Sequence, residues 1–295
     1  MIISARVDPL LTELASLCSG AESNAIRCSL LEALAVVLDK GGNAATAQVH
    51  EKVKTVVLNH SMDEDDSLRL AASACSGKLA AYLDAVAVGD LILDLCCDVK
   101  DPSSAGRLLS VGEIMRHAGK KLDVVRADAF KFLAEGFRSD KPAVINACCT
   151  ALLSAFTFPS HMGAEAKKEE YTACIVETMH EFVASLVACS SNKDRTEDTR
   201  RQALTALKLA AQIDPEAMRT HGKLVLTAVL EGMRDALNFR IKAQAERIYY
   251  ILTEGASQPL VAALCGHSSS EDAAFLRSLS KKIAAMPQHE SADEW

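Results

Sequence analysis

A short pattern returns along this chain: a polar turn, an apolar residue, an arginine, then small and apolar residues at helical spacing. Asn24-Ala25-Ile26-Arg27 leads into Leu30, Leu31, Ala33 and Leu34, and Ser67-Leu68-Arg69 leads into Ala71, Ala72, Cys75 and Leu79. Ala105-Gly106-Arg107 precedes Leu108, Val111 and Ile114, and Ala143-Val144-Ile145 precedes Ala147, Cys148, Ala151 and Leu152. Asp198-Thr199-Arg200 and Asn238-Phe239-Arg240 open the last two copies. The equivalent positions are 27, 69, 107, 145, 200 and 240, spaced 42, 38, 38, 55 and 40 residues apart. A period near 40 residues means stacked supersecondary units, none of which can bury its apolar face alone. This constrains the fold more than the length of 295 residues does, which by itself would suggest about two globular domains.

Each unit has room for two helices. Segments 8–18, 45–60, 84–97, 121–137, 169–189 and 215–234 are apolar on one side and precede the arginine-bearing segments. In the fifth, Ile175, Met179, Phe182, Val183 and Leu186 recur at i, i+4, i+7, i+8 and i+11, one helical face. Short polar stretches separate the paired helices: Ser19-Gly20-Ala21-Glu22, Met62-Asp63-Glu64-Asp65 and Ser139-Asp140-Lys141-Pro142. Pro9, Pro142 and Pro215 suit first helical turns, where the missing N–H has no partner to lose. Asp8 and Asp214 are then the expected N-caps. No window alternates with period two between hairpin turns. The chain reads as all-α: an α-solenoid of HEAT-type helical hairpins, about six repeats plus a C-terminal cap near Gln258 to Met286. The array is expected to fill residues 1–286, with a polar, disordered tail over 287–295.

Three irregularities are expected. The 55-residue interval holds an insertion from Phe158 to Lys168 and a wide turn from Ser190 to Thr196. Gly106 and Gly112 should weaken the second helix of the third unit. An apolar stretch, Leu10 to Leu17, begins where a free solenoid would carry a polar capping repeat. The first hairpin should therefore expose apolar surface, and the chain is expected to be part of a longer array.

The same residues argue against catalysis. His180-Glu181 meets Ala184, not a second His, at metalloprotease spacing; Gly119-Lys120 lacks the upstream Gly and the Ser/Thr of a phosphate loop. No Gly-x-Ser-x-Gly elbow or Gly-x-Gly-x-x-Gly run occurs, and no metal-ligand spacing stands out. The expectation is a non-enzyme with no catalytic residue, cofactor, metal or small-molecule substrate. The ten cysteines lie in apolar runs, among them Cys75, Cys96, Cys97, Cys148, Cys149, Cys174 and Cys189, with no Cys-x-x-Cys pair. Such cysteines act as small hydrophobes and imply a reducing compartment, so the chain is expected to be cytoplasmic. No apolar run reaches the roughly 18 residues of a membrane span, and no membrane partner is expected.

Binding then rests on surface residues. Arg27, Arg69, Arg107, Arg200 and Arg240 are expected to form a ladder, each bonding an Asp or Asn of an adjacent turn. Asp63 to Asp66 reads as an exposed turn that caps the following helix. The second helices should line the concave side of the stack, where solenoids bind. There Arg201, Thr205 and Lys208 repeat the spacing of Arg240, Gln244 and Arg247, with Arg234 and Lys242 nearby. Together Arg201, Lys208, Arg234, Arg240, Lys242 and Arg247 form a candidate basic ridge for an acidic protein surface or ribosomal RNA phosphates. The net charge of −7 opposes nucleic acid as a whole-chain partner. Tyr249, Tyr250 and Phe239 are expected in the core between the last two hairpins, and His117, His180 and His221 as structural or exposed residues.

Ordered blocks in the chain resemble a known family. Val7-Asp8-Pro9-Leu10-Leu11-Thr12-Glu13-Leu14 opens it, and Asp63-Glu64-Asp65, Arg69-Leu70-Ala71-Ala72 and Leu79-Ala80-Ala81-Tyr82-Leu83 follow. Phe239-Arg240 and Ala243-Gln244-Ala245-Glu246-Arg247-Ile248 stand near the end. From Val7 to about Lys282 these are similar to the C-terminal HEAT repeats of the translational activators of general amino-acid control. Those are ribosome-associated activators of the kinase that phosphorylates initiation factor 2 alpha. The resemblance implies a non-catalytic adaptor in the amino-acid starvation response, with that kinase and the ribosome as partners. It transfers no kinase-binding residue. Ile145 and the insertion after Phe158 depart from the repeat pattern. The alternative is a generic HEAT scaffold, like a phosphatase regulatory subunit or a nuclear transport factor.

Overall fold

A computed structural model describes residues 4–96, 104–157, 165–235 and 238–253, together with 271, 274–278 and 281. Among the described residues there are α-helices and short 3-10 turns and no strand. The helices are α1 (Ser4–Gly20), α2 (Asn24–Gly41), α3 (Ala47–Ser61), α4 (Asp66–Ala80), α5 (Ala85–Leu95), α6 (Ser104–Ala118) and α7 (Arg126–Phe137). They continue with α8 (Pro142–Phe156), α9 (Glu165–Ser191), α10 (Glu197–Ile213), α11 (Pro215–Thr220), α12 (Gly222–Met233) and α13 (Phe239–Thr253). They pair as six hairpins: α1 with α2, α3 with α4, α5 with α6, α7 with α8, α9 with α10, and α11 and α12 with α13.

Packing runs between neighbours in the stack. The second helices form one row, α2–α4–α6–α8–α10–α13, and the first helices another, α1–α3–α5–α7–α9–α12. The chain is therefore the α-solenoid that its period predicts. The buried residues sit between the rows: Leu31, Leu34 and Leu38 of α2, Leu68, Cys75 and Leu79 of α4, Ile145, Cys148 and Leu152 of α8. Ile175, Met179, Phe182, Val183 and Leu186 of α9 are all buried, as their spacing requires. Polar contacts between hairpins carry the same period. Asn24 donates to Asp65, 41 residues on, at 3.1 Å. Lys78 reaches Asp39 across 39 residues at 2.6 Å, and Lys54 pairs with Asp94 at 2.8 Å.

The row of second helices packs more closely than the row of first helices. Glycine makes that possible. A Cβ on Gly112 would lie 2.4 Å from the Ala151 Cα, and one on Gly106 would lie 2.1 Å from the Ser61 carbonyl oxygen. The expectation that these glycines weaken α6 is corrected: α6 is continuous from Ser104 to Ala118, and the glycines let α8 and the end of α3 approach its backbone.

Four local expectations change. Asp8 does not cap α1, which starts at Ser4 and contains Pro9; its carboxylate instead accepts from the Thr46 N–H at 2.9 Å, at the start of α3. The first helix of the fourth unit begins at Arg126, not 121, because Gly119 ends α6 with φ 58 and a 3-10 turn follows to Leu122. The first helix of the sixth unit breaks at His221 into α11 and α12. Phe239 is 75% exposed, because the buried face of α13 runs through Ile241, Ala245, Ile248 and Leu252 and Phe239 lies off it. Asp214 and Pro215 start α11 as expected, the Asp214 carboxylate accepting from Ala217 N–H at 2.9 Å. In the first hairpin Leu10, Leu17, Ile26 and Val36 are exposed. The insertion after Phe158, most of the segment expected to cap the array, and the tail 287–295 lie outside the described residues.

Candidate interaction surface

The five repeat arginines occupy one sequence position but make different contacts. The Arg27 Nε donates to the Ala21 carbonyl at 2.7 Å. Arg69 donates to the Asp63 and Glu64 carbonyls at 2.7 and 2.9 Å and pairs with Asp66. Arg200 donates to the Ser190 carbonyl at 3.1 Å. In each case the guanidinium folds back and donates to backbone carbonyls at the turn of its own hairpin. Of the ladder expected between repeats, Arg27 and Arg69 thus show contacts within their own hairpin, while Arg200 also reaches an aspartate of the next unit. Contacts to a neighbouring unit come from Arg107, against the Met62 sulfur, and from Arg200, paired with Asp235 at 2.9 Å. Among the described residues Arg240 makes neither kind of contact; it is exposed and lies 5.9 Å from the centre of the Phe239 ring. Where the pattern has Ile145, the side chain is fully buried.

The acidic run caps α4. The Asp65 carboxylate accepts from Ser67 and Leu68 N–H groups at 2.8 and 3.4 Å. The Asn24 amide, followed by those backbone donors, holds the Asp65 carboxyl below its ordinary range.

The basic residues of α10, α12 and α13 separate into two groups. Arg201 pairs with Asp198 at 2.9 Å, and Arg234, at the end of α12 in the row of first helices, approaches Glu231 at 3.5 Å. Lys208 and Arg247 stand on the adjacent second helices α10 and α13, near enough for the Arg247 charge to act on Lys208. Burial, and then the Arg247 charge, lowers the Lys208 ammonium below its ordinary value. Arg247 lies over Tyr250 at 5.2 Å from the ring centre, a cation–π contact. Among the described residues no carboxylate forms an ion pair with either. Lys242 and Arg240 are exposed on α13, and the Gln244 Oε1 is buried with no hydrogen-bond partner among the described residues. The structure thus reduces the six-residue ridge to a like-charged pair on adjacent second helices, with two further cations on α13.

Sequence reasoning missed a Cys–His–Asp series. The Cys18 Sγ lies 3.5 Å from the His60 Nε2, and the His60 Nδ1 lies 3.8 Å from Asp63. Cys18 and His60 are 42 residues apart, one repeat, which was the available signal. The arrangement is not that of a nucleophile. Cys18 is fully buried and burial pushes its thiol up, while burial pushes the His60 imidazole down. His180 and His221 meet through Nδ1 and Nε2 at 2.8 Å, joining α9 to the start of α12. Among the described residues no group of three or more His, Cys, Asp or Glu could hold a metal, and no helix is long and apolar enough to cross a membrane.

Comparison with known proteins agrees with the repeat reading. Residues 8–153 match the family model of stalled ribosome sensor GCN1-like HEAT repeats. The chain is 23% identical to protein ILITYHIA of Arabidopsis thaliana over 263 residues, 86% of this chain and 9% of that protein. It is 31% identical to the stalled ribosome sensor GCN1 of Mus musculus over 81 residues, 28% of this chain and 3% of that protein. A designed armadillo repeat protein superposes with a TM-score of 0.45 at 13% identity, covering 84% of this chain and all of that one. The chain spans under a tenth of the length of these curated relatives, and it resembles the C-terminal HEAT segment of the stalled ribosome sensors.

Proposed function

We propose that this chain is a HEAT-repeat binding scaffold of translational control. On this reading it lends one cationic, anion-binding docking surface to a ribosome-associated activator of the initiation factor 2 alpha kinase. The observation that carries the reading is the Lys208–Arg247 pair. Two like charges on neighbouring second helices, both partly desolvated, raise the free energy of the unliganded surface; an anion between them relieves it. Arg240 and Lys242 extend the cationic strip along α13, in a molecule whose net charge is otherwise negative. Patches of this kind steer an anionic partner to one part of an acidic surface. Acidic protein segments and ribosomal RNA phosphates share the chemistry required. The similarity to stalled ribosome sensors favours the ribosome as the source and the kinase as the partner brought to it.

The test is co-sedimentation of the full chain with purified ribosomes at several salt concentrations. Binding should weaken as salt rises, since phosphate contacts release counterions. Lys208→Glu with Arg247→Glu should abolish it, whereas Arg201→Glu, at a residue already paired with Asp198, should reduce it far less. Ribosome binding that survives the double reversal at moderate salt refutes the assignment of this surface.

A further inference from the structure

The cationic strip on α13 also carries two aromatic rings. Phe239 is 75% exposed at the first turn of the helix, turned away from its buried face. Tyr250, half-buried, stands eleven residues further on. Eleven residues are close to three turns, so the two rings share one stripe of the helix, about 16 Å apart along its axis. An arginine accompanies each ring. Arg240 lies 5.9 Å from the centre of the Phe239 ring, and Arg247 lies 5.2 Å from that of Tyr250. Arg240 and Arg247 are close to two turns apart and follow one side of the stripe. Lys242 flanks its other side, and the exposed Ala243 leaves a low floor between the rings. Glu246 stands on the stripe as well, a carboxylate among these cations.

We propose that this stripe binds an unpaired RNA segment, its bases stacked on Phe239 and Tyr250 and its phosphates held by Arg240, Lys242, Arg247 and, from α10, Lys208. The assignment rests on the reading of this surface as an anion-binding strip, and it narrows the ligand. An acidic protein segment would use the cations alone. Two rings kept at the surface beside them suit a ligand with flat faces as well as charge. Unpaired nucleotides have both, because every base presents a π-face and stacks readily on aromatic side chains and guanidinium planes. A duplex offers only the charge, since its bases are stacked on one another and out of reach. A stacked strand advances about 3.4 Å per nucleotide, so the span between the rings takes roughly five nucleotides. Glu246 repels the phosphates and holds the affinity below what the cations alone would give.

The test is fluorescence anisotropy of the full chain with three labelled probes at moderate salt. These are a ten-nucleotide oligouridylate, the same sugar-phosphate backbone without bases, and the oligouridylate annealed to its complement. The oligouridylate should bind about fivefold or more tightly than either of the others. Phe239→Ala, at an exposed position, should bring it down to the level of the baseless backbone, and Phe239→Tyr should retain the difference. Glu246→Gln should tighten all three. Helical circular dichroism checks that each variant is folded.

Equal affinity for the oligouridylate and the baseless backbone overturns the proposal. So does tightest binding of the duplex, an oligouridylate affinity that Phe239→Ala leaves unchanged, or displacement of the oligouridylate by an equal concentration of decaglutamate. These outcomes are separate from the co-sedimentation test. If the Lys208 and Arg247 reversals abolish ribosome binding while the three probes bind alike, the anion-binding strip stands and the stacking of bases does not.

Discussion

At the scale of single residues, equivalence in sequence and equivalence in contact part company. Arg69 and Arg240 occupy the same place in the repeat. The Arg69 guanidinium is largely buried and serves two carbonyls and a carboxylate, whereas Arg240 lies exposed over Phe239. Hydrogen bonds to charged groups contribute about 1.5–3 kcal/mol each at most, and less where water competes. Arg69→Ala should therefore cost about 2 kcal/mol in chemical denaturation, and Arg240→Ala no more than about 0.5 kcal/mol. Equal losses would mean that the fold-back contact contributes nothing. The histidines set a pH dependence. Burial lowers the His60 pKa below its ordinary 6.5, with Asp63 opposing. Above 6.5 the ring is neutral in both folded and unfolded chains. As the pH falls below 6.5 the unfolded chain takes the proton first, so stability is lost from there down through the lowered folded value. His221 shifts in the same direction, through burial and then His180. The urea midpoint should fall between about pH 7 and pH 5, and fall less in His60→Gln, which removes one titrating group. Slopes that match in the two proteins would assign the acid sensitivity elsewhere.

At the scale of helices and hairpins, much was legible because burial in a stack is periodic. The apolar face of α9 could be read from five residues, and Pro142, Asp214 and Pro215 gave helix starts. The misreadings have local physical causes. Pro9 can sit inside a helix, so it did not mark the start of α1. Gly119 adopts a left-handed conformation that a sequence does not announce, and this shifted the start of α7. Gly106 and Gly112 looked like helix weakeners because propensity is local, while their use, a close approach between backbones, is tertiary. The surface was half legible: spacing found Lys208 and Arg247 on adjacent helices, but not that Arg201 and Arg234 are each bound to a carboxylate one turn away. A substitution at Gly112 isolates the tertiary role of glycine. Alanine gains about 0.5–1 kcal/mol of helix propensity over glycine. At Gly112, however, the new methyl meets Ala151 backbone, which cannot move aside as a side chain can. Gly112→Ala should destabilise by about 1–3 kcal/mol or more. Gly20→Ala, with nothing within 4 Å of the added carbon, should be neutral or slightly stabilising. A neutral Gly112→Ala would show that α6 and α8 can separate without penalty.

At the scale of the whole molecule, the decisive property is that packing is carried between adjacent hairpins. A globule shares one core, so a lesion anywhere lowers the stability of every part. A stack behaves as a row of coupled units, and a lesion weakens its own unit and, through the interfaces, its neighbours. Phe182 is suited to reveal the difference. It is almost fully buried in α9, with its ring 5.4 Å from Phe130 and 6.1 Å from Phe137 of α7. Phe→Ala in such a site costs about 3–5 kcal/mol. Helix α9 packs chiefly on α10 and α12 and meets α7 through Phe182, while α1 to α4 pack among themselves and on α5 and α6. Native-state hydrogen exchange of Phe182→Ala should show faster exchange in α7, α9, α10 and α12, and unchanged protection in α1 to α4. Protection that collapses evenly along the chain would make the six hairpins one cooperative unit.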